Sequence, residues 1–398
     1  MAKFKVLVKD ILKKLYPVKM YKADKTLQKY VYSILLPAEK IAQCDCSEEA
    51  KAKIIAEWES THPEKAADLK EKIGKCIEKA GFPDSAAAEL DMKFWFYAYG
   101  YNPSEYITYG FQSKTYEERR SYISDRESVC LGHHLNDIFA LRIFMDKAKT
   151  YERFQKYFNR DCITVEKHSS YEVFCDFVQA HPIFVKKNVG ESCGRSVELF
   201  DATGRDLKAL FEEFGQSSKL ILEERIEQSE HLAELNASSV NTVRCFTLKT
   251  REGIVIPWTF MKIGRDGSFV DNGGAGGLLV GIDPETGVFN TDARDEYGFS
   301  FDKHPDSGIT FQGFRLLEWD KMIAICKEMA ELEPLVPWIG WDMTYTNQGW
   351  VVVEGNSMSE VIGPQSTMQR GIRAEFDKHL KNVELFMKNE NIYIGKRL

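Results

Sequence analysis

The chain has 398 residues, a net charge of −7 at pH 7 and 43% hydrophobic residues. This composition is typical of a folded protein of two or three domains and excludes a disordered or collagen-like chain. No apolar run reaches the ~20 residues that span a membrane, and charged residues interrupt the apolar residues of the first turns, so no secretory signal is expected. A mildly acidic chain also lacks the cations that bind nucleic acid irrespective of sequence, so no nucleic-acid partner is expected.

The cysteines indicate the compartment. There are nine, an odd number, and none of them forms a C-x-x-C pair. This pattern predicts free thiols and favours neither a disulfide framework nor a zinc ribbon. We therefore expect a cytoplasmic protein.

The first predicted element is a basic helix. Residues 1–25 carry eight lysines and two aspartates, a local charge of +6 that leaves −13 for the rest of the chain. Apolar residues recur among them at helical spacing. Two interpretations stay open. The helix packs on its own domain with its lysines in solvent, or it is a peripheral contact with the anionic inner face of a membrane.

Further helices are predicted up to about residue 130, so residues 1–130 form a mainly helical region. Ser47 before two glutamates is typical of a helix start, and Thr61–Glu64 fits a capping box. The aromatic run at 94–101 lacks interleaved cations and predicts a packed core, not a stacking platform for nucleic acid. One more amphipathic helix is expected over 137–158.

From about residue 162, short runs of β-branched and aromatic residues alternate with glycine-bearing turns. Helical patterns interrupt them at 205–215, 320–333 and 366–388. Strands joined mostly as hairpins indicate an α+β fold with antiparallel sheets. The glycine spacing supports neither a Rossmann fingerprint nor a Walker P-loop.

Residues 340–356 predict a hairpin that carries a metal site. Taking 347–349 as a three-residue loop places Asp342 opposite Glu354, with Asn356 on the same face. Two opposed carboxylates repel each other unless a cation lies between them. Because carboxylate and amide oxygens suit Mg²⁺, these three residues are predicted metal ligands. The alternative is an acidic pair relaxed by solvent or by a nearby lysine.

A glycine-bearing loop between two predicted strands offers phosphate ligands. Its backbone N–H groups can bend over an anion. The residues concerned are Gly190, Ser192, Gly194, Arg195 and Ser196. Lys186 and Lys187 lie on the entering strand, where alternation sends one side chain to each face. Taken alone, such a loop is weak evidence, because most glycine-bearing loops of this kind are ordinary hairpins.

These motifs, in this order, resemble the ATP-grasp superfamily, and within it the sugar-transfer-associated ATP-grasp proteins. The resemblance covers about residues 140–375. The segments that carry it are Asp146-Lys147, Val185-Lys186, 190–196, Leu222–Ile226, Ser239–Arg244, Asn272–Gly277, Asp342 and Glu354-x-Asn356. It implies two α+β subdomains, at 131–222 and 223–398, whose antiparallel sheets clasp ATP. Many relatives begin with a small parallel α/β domain, and the helices of 1–130 depart from that pattern.

The resemblance also implies ligands for each part of Mg·ATP. The residues implied for the phosphates are Lys147, Lys186, Gly190, Ser192, Gly194, Arg195 and Ser196. Those implied for adenine and ribose are Glu223, Glu224, Ile226 and Glu230. Lys186 and Arg244 would be catalytic, with Arg244 stabilising the transferred phosphoryl group or the substrate anion. Asp342, Glu354 and Asn356 would bind one or two Mg²⁺ ions.

The implied activity is an ATP-dependent ligase. ATP would phosphorylate a carboxylate to an acyl phosphate, which an amine or thiol would then attack, in the biosynthesis of cell-surface glycan or a related small molecule. One alternative is a kinase that phosphorylates a sugar or another hydroxyl acceptor. A second is a non-catalytic nucleotide-binding scaffold.

Overall fold

The computed structural model describes residues 25–27, 29, 31, 33–45, 47–189, 197–216, 219–269, 271 and 276–390. The helix predicted within residues 1–25 therefore lies outside the described residues, apart from Lys25. The same holds for the loop 190–196 and for most of the glycine-rich run at 272–277. No helix among the described residues is long and apolar enough to cross a membrane.

Helices make up the first part of the described chain. They are α1 (Ala38–Ala42), α2 (Glu48–Ser60), α3 (Pro63–Ala80), α4 (Ser85–Tyr99), α5 (Pro103–Thr108), α6 (Tyr116–Arg120) and α7 (Asp125–Leu135). The backbone N–H of Ala50 donates to the Ser47 hydroxyl, which confirms the predicted start of α2. The capping box predicted at Thr61–Glu64 is wrong. The hydroxyl of Thr61 instead donates to the carbonyl of Trp58, and α3 begins after His62 without a side-chain cap.

The aromatic run of α4 forms the core of this helical region, as predicted. Phe94, Trp95, Phe96 and Tyr97 are all buried. Most of the contacts that their rings make are edge to face, for example Trp95 against Phe111 at 5.6 Å between ring centroids. Edge-to-face contact is the geometry that aromatic quadrupoles favour. A packed core therefore accounts for the run.

Two antiparallel sheets form the rest of the described chain, and the α+β expectation is confirmed. The first has the order β1-β4-β2-β3, with β1 (Cys162–Val165), β2 (Ile183–Asn188), β3 (Glu198–Asp201) and β4 (Leu220–Glu224). Helices α9 (Tyr171–Ala180) and α10 (Leu207–Gln216) cover one face of it. Strand β4 continues past the expected subdomain boundary at 222/223 and ends at Glu224.

The second sheet has the order β10-β9-β8-β7-β5-β11-β12, with β6 beside β5. Its strands are β5 (Thr242–Thr250), β6 (Gly253–Val255), β7 (Thr259–Ile263), β8 (Leu278–Ile282), β9 (Phe289–Arg294), β10 (Ser300–Phe301), β11 (Trp338–Thr346) and β12 (Gly349–Asn356). Apolar side chains of one face pack on α8 (Lys147–Phe158) and α12 (Trp319–Glu331). Those of the other face, such as Phe246 and Leu248, pack on α14 (Arg373–Asn389). The remaining helices are α11 (Glu230–Ala233) and α13 (Ile362–Met368).

Two predicted helices are interrupted. The pattern at 137–158 forms a 3₁₀ segment, Ala140–Met145, and then α8, because the Asp146 side chain caps a new helix by accepting from the N–H groups of Ala148 and Lys149. The pattern at 366–388 is divided at Gln369, whose φ of 51° is left-handed and ends α13. Polar capping and a left-handed residue therefore overrode a continuous apolar stripe.

The β11–β12 hairpin confirms that Asp342 pairs with Glu354. The loop prediction was wrong, however, because Thr346 pairs with Gly349 and only two residues connect the strands. Gly349 has a φ of 107°, which a residue with a Cβ rarely adopts. A β-bulge next to Asp342, with Val353 as the extra residue, shifts the register back by one position. The shorter loop and the bulge shift the register by one position in opposite directions, so Asp342 still lies opposite Glu354.

Candidate functional site

A cavity of about 440 Å³ lies between the two sheets. The first sheet contributes side chains from β2 and β4, and the second contributes side chains from β5, β7, β11 and β12. The charged residues that line it are Lys147, Lys187, Glu223, Glu224, Arg225, Glu227, Lys262, Asp271, Asp342 and Glu354. Its volume falls within the range of small-molecule sites.

A row of charged side chains crosses the second sheet at the cavity floor. Arg244 on β5 pairs directly with Asp342 on β11, which pairs with Glu354 on β12. The guanidinium of Arg244 donates to both oxygens of Asp342, at 2.5 Å from Nε and 3.0 Å from Nη2. Direct pairing puts all three side chains on one face, because neighbouring residues across a sheet share their orientation.

Lys262 on β7 is a second cationic partner of Asp342. Its Nζ lies 3.1 Å from Oδ2 of Asp342 and 4.0 Å from Oδ1 of Asp271. Burial alone would raise the pKa of Asp342, but Arg244 and Lys262 outweigh it and lower that pKa to about 2. Asp342 is therefore charged throughout the physiological range.

Glu354 is the open carboxylate of this row. It is half-buried and lines the cavity. No described side chain forms a hydrogen bond or ion pair with it. Asn356 lies beside it and donates from Nδ2 to Asp342 Oδ2 at 3.4 Å. An unpaired, half-buried carboxylate next to a second carboxylate and an amide is a donor set that fits Mg²⁺.

Close packing at Gly340 holds Arg244 in this row. Arg244 Nη1 donates to the Ser359 hydroxyl at 3.0 Å. A Cβ on Gly340 would lie 2.1 Å from that hydroxyl oxygen and 3.0 Å from Cδ of Arg244. Glycine is therefore required at residue 340 for Ser359 and Arg244 to meet.

A buried triad lies at the opposite wall, on the first sheet. Oε2 of Glu223 on β4 accepts from Lys187 Nζ at 2.9 Å and from Arg160 Nη2 at 2.9 Å. Burial would raise the pKa of Glu223, but Lys187 and Arg160 reverse this and lower it to about 2. The carboxylate of Glu223 is thus occupied by two cations.

Arg160 also ties the two sheets together. Its Nη1 donates to the carbonyl of Val352 at 2.7 Å, and its Nη2 approaches the carbonyl of Val353 at 3.3 Å. Val353 is the bulge residue of β12. One buried guanidinium therefore spans from β4 to the strand that carries Glu354.

Lys147 enters the cavity from a third element. It is the first residue of α8, next to the capping residue Asp146. The start of a helix carries partial positive charge from its N–H groups, which favours anionic ligands. The segment from Glu224 to Gln228, which follows β4, completes the lining on that side.

Among the described lining residues, six carboxylates face four cationic side chains. Arg160 and Arg244, which pair with Glu223 and Asp342 from beside the cavity, offset two of these carboxylates. Glu354 has no described cationic partner, so a polyphosphate bound next to it would be repelled unless a metal cation lay between them. The cavity thus suits an anion that arrives with divalent metal.

The structure brings together most of the side chains predicted from the sequence. Those that line the cavity are Lys147, Glu223, Glu224, Ile226, Asp342 and Glu354. Arg244 and Asn356 contact Asp342 directly. Glu230, at the start of α11, is exposed and does not line the cavity. Gly190, Ser192, Gly194, Arg195 and Ser196 lie outside the described residues, so their predicted role stays a prediction.

Lys186 does not reach the cavity. Its Nζ pairs with Glu198 at 2.8 Å and lies over the rings of Phe200 and Phe214, on the face covered by α10. The next residue, Lys187, lines the cavity in its place. Alternation predicted one lysine for each face of β2. Val185 pairs with Glu223, which lines the cavity, so Lys187, two residues after Val185, lies on the cavity face and Lys186 on the other.

Three contributors were missed in the sequence. Lys262 had a signal, since it is a single charge in the otherwise apolar strand Thr259–Ile263. Asp271 follows that strand and accepts from the Thr242 hydroxyl at 2.5 Å, with nothing in the sequence to mark it. Arg160 lies in an ordinary polar turn after α8, and only the fold reveals its buried position.

Residues 128–384 match the family described as sugar-transfer associated ATP-grasp. No curated protein sequence matches the chain.

Among solved structures, the chain is similar to the ATP-grasp ligase PsnB in complex with a minimal precursor, at 11% identity and a TM-score of 0.40, over 63% of each chain. It is similar to the D-alanine–D-alanine ligase from Coxiella burnetii, at 12% identity and a TM-score of 0.41, over 68% of this chain and 72% of that one. It is also similar to an N5-carboxyaminoimidazole ribonucleotide synthetase, at 12% identity and a TM-score of 0.38, over 65% and 54%. The chain thus spans less than two thirds of the PsnB structure, and likenesses this distant do not indicate a substrate.

Proposed function

The chain belongs to the sugar-transfer-associated ATP-grasp family, and on that premise we propose that it is an ATP- and Mg²⁺-dependent ligase. It joins a carboxylate to an amine or thiol through an acyl phosphate. The product is a precursor of a cell-surface glycan or a related small molecule. The reaction takes place in the cytoplasm, and residues 1–25 stay a candidate for peripheral contact with the inner membrane face.

The observation that carries this proposal is the pair of opposed walls of the cavity. Lys187 and Lys147 supply cations on the side of the first sheet and α8, while Asp342 and Glu354 supply carboxylates on the second sheet. A nucleotide triphosphate with its metal needs both. In this assignment Lys187 takes the phosphate contact that the family resemblance implied for Lys186.

Glu354 and the amide oxygen of Asn356 would hold Mg²⁺. Asp342 would join them by giving up one of the donors that its oxygens now accept from, which are Arg244, Lys262 and Asn356. When bound, the metal neutralises the phosphate oxygens and so favours attack on the terminal phosphorus. Arg244 and Lys262 keep Asp342 ionised and place two further positive charges at the same end of the cavity. These charges stabilise the negative charge of the transferred phosphoryl group.

Glu223 acts through Lys187 and does not contact the base. Its carboxylate already accepts from Lys187 and Arg160, so it holds the lysine in position against the phosphates. The adenine is then held by the backbone between Glu224 and Ile226, which lines the cavity at the end of β4. Preorganising a cation in this way lowers the cost of orienting it during reaction.

The chemistry requires two transfers. A carboxylate oxygen attacks the terminal phosphorus and ADP leaves, which gives an acyl phosphate. The amine or thiol then attacks the carbonyl carbon and phosphate leaves. The residues described above bind, orient and neutralise, which is what phosphoryl transfer asks of a protein.

The purified chain, incubated with ATP, Mg²⁺ and a panel of carboxylic acids and amines, tests the proposal. A ligase releases free phosphate only when both substrates are present, and hydroxylamine traps the acyl phosphate as a hydroxamate. A stable phosphorylated sugar would instead establish the kinase alternative. ATP binding without turnover across the panel would favour the scaffold.

A further inference from the structure

A second cavity, of about 620 Å³, lies within the helical region. It is enclosed by α2, α4, α5 and α6 together with the turns before α4 and α6. Among the described residues it shares no lining residue with the nucleotide cavity. All of its described lining residues fall between Glu48 and Arg119, before the family match begins at residue 128.

A charged cluster forms one wall. Asp91 on α4 accepts from Arg119 Nη1 at 2.6 Å, from the Tyr106 hydroxyl at 2.7 Å and from Lys51 Nζ at 3.0 Å. The side chains of Lys51, Asp91 and Arg119 are between 11% and 19% exposed. Burial would raise the pKa of Asp91, but Tyr106, Arg119 and Lys51 lower it below its ordinary value. The carboxylate therefore stays charged.

This cluster carries more positive than negative charge. Lys51 and Arg119 share a single carboxylate. Lys114 also lines the cavity, but its Nζ donates to the carbonyl of Gln369 at 3.3 Å. Two acids lie at its rim, but Asp84 is committed to capping α4, where it accepts from the N–H groups of Ala86 and Ala87, and Glu48 is exposed. Arg119 Nε donates to the carbonyl of Lys114 at 3.0 Å, which adds no negative charge to the cluster. A half-buried excess of cations is costly unless an anion joins it.

Aromatic side chains form the other walls. Phe82, Trp95 and Tyr116 all line the cavity. Tyr116 is 43% exposed. Its hydroxyl lies 2.5 Å from that of Tyr99, and this hydrogen bond fixes the orientation of the Tyr116 ring. The Arg119 guanidinium lies 5.2 Å from the Trp95 ring centroid, so cation and ring form one continuous surface.

We propose that this cavity binds a small organic anion that carries a ring. The anionic group pairs with Lys51 and Arg119, and the ring packs on Tyr116 and its aromatic neighbours. The ring can be a sugar or an aromatic group, since both pack on aromatic faces. The volume suits a molecule of that size. This proposal does not depend on the nucleotide site.

Calorimetric titration of the full chain tests it, with a non-hydrolysable ATP analogue and Mg²⁺ present so that phosphate cannot enter the nucleotide cavity. Glucose 6-phosphate and phenyl phosphate are the probes, and glucose and inorganic phosphate are their halves. At least one probe is expected to bind more tightly than glucose and than inorganic phosphate. Tighter binding of glucose 6-phosphate would identify the ring as a sugar, and tighter binding of phenyl phosphate would identify it as aromatic. Lys51→Met is expected to weaken that binding about tenfold or more, and Lys51→Arg to restore it.

Tyr116→Ala is expected to weaken the same probe while leaving inorganic phosphate unchanged. Lys72→Met is the matched control, because Lys72 is an exposed lysine of α3 paired with Asp68. Affinity for the ATP analogue and thermal unfolding confirm that each variant is folded. The proposal is overturned if neither probe binds, if Lys51→Met binds as well as the wild type, or if inorganic phosphate binds as tightly as both probes.

Discussion

At the scale of single residues, the structure favours Lys187 over Lys186 as the lysine that contacts the phosphates. Lys187→Met is expected to weaken ATP binding about tenfold or more, because it removes a cation from the cavity wall and leaves Glu223 with Arg160 alone. Lys186→Met should change ATP binding little, since Lys186 packs on the opposite face. Calorimetric titration with ATP and Mg²⁺ measures both, and the reverse order of effects would show that Lys186 carries the contact.

Glu105 predicts a pH dependence of stability. It is buried at the start of α5, and its burial raises its pKa from 4.5 to about 8. The folded state thus keeps a proton that the unfolded state releases above about pH 4.5. Stability attributable to Glu105 is therefore greatest below that pH, falls as pH rises towards 8 and is level beyond, with a slope of at most about 1.4 kcal/mol per pH unit.

Urea unfolding at several pH values between 5 and 8 tests this. The decline is expected in the wild type and should be much reduced in Glu105→Gln, whose side chain cannot titrate. An equal decline in both proteins would show that Glu105 is ionised in the folded state.

At the scale of elements, Arg160 joins β4 to β12. Arg160→Met is expected to lower the free energy of unfolding by about 3–5 kcal/mol, because it leaves the buried Glu223 carboxylate short of charge compensation. Adding Glu223→Gln should recover part of that loss. Arg153→Met, on the exposed side of α8, is the control and should cost about 1 kcal/mol or less. Urea unfolding measures all of them. An equal loss in Arg160→Met and Arg153→Met would contradict the coupling.

The β11–β12 hairpin shows what strand patterns can and cannot predict. The pairing of Asp342 with Glu354 followed from alternation and a centred turn. The turn was one residue too long in that prediction, and a bulge at Val353 compensated for it. Bulges depend on neighbouring strands and on contacts such as that of Arg160, which are remote in sequence. Local spacing alone could not reveal them.

Across the whole molecule, the sequence predicted the fold class because helical stripes and hairpin strands are local patterns. The position of Glu354 opposite Asp342 was predicted for the same reason, because hairpin pairing is local. The contacts that complete the site were not predicted, because Arg160 meets Glu223 only when β1, which begins two residues later, pairs with β4. The β2–β4 register likewise decides whether Lys186 or Lys187 faces the cavity. Long-range packing decided these features.

The distribution of charge leads to the central claim. Asp342 and Glu223 are paired with cations, but Glu354 lines the cavity without a described cationic partner, so the triphosphate should bind well only together with Mg²⁺. Titration of the wild type and of Glu354→Gln with ATP, with and without Mg²⁺, is the most direct measurement. We predict that Mg²⁺ strengthens ATP binding to the wild type about tenfold or more and that Glu354→Gln loses most of this gain while staying folded. Equal ATP affinity with and without Mg²⁺, or an undiminished gain in Glu354→Gln, would contradict the account.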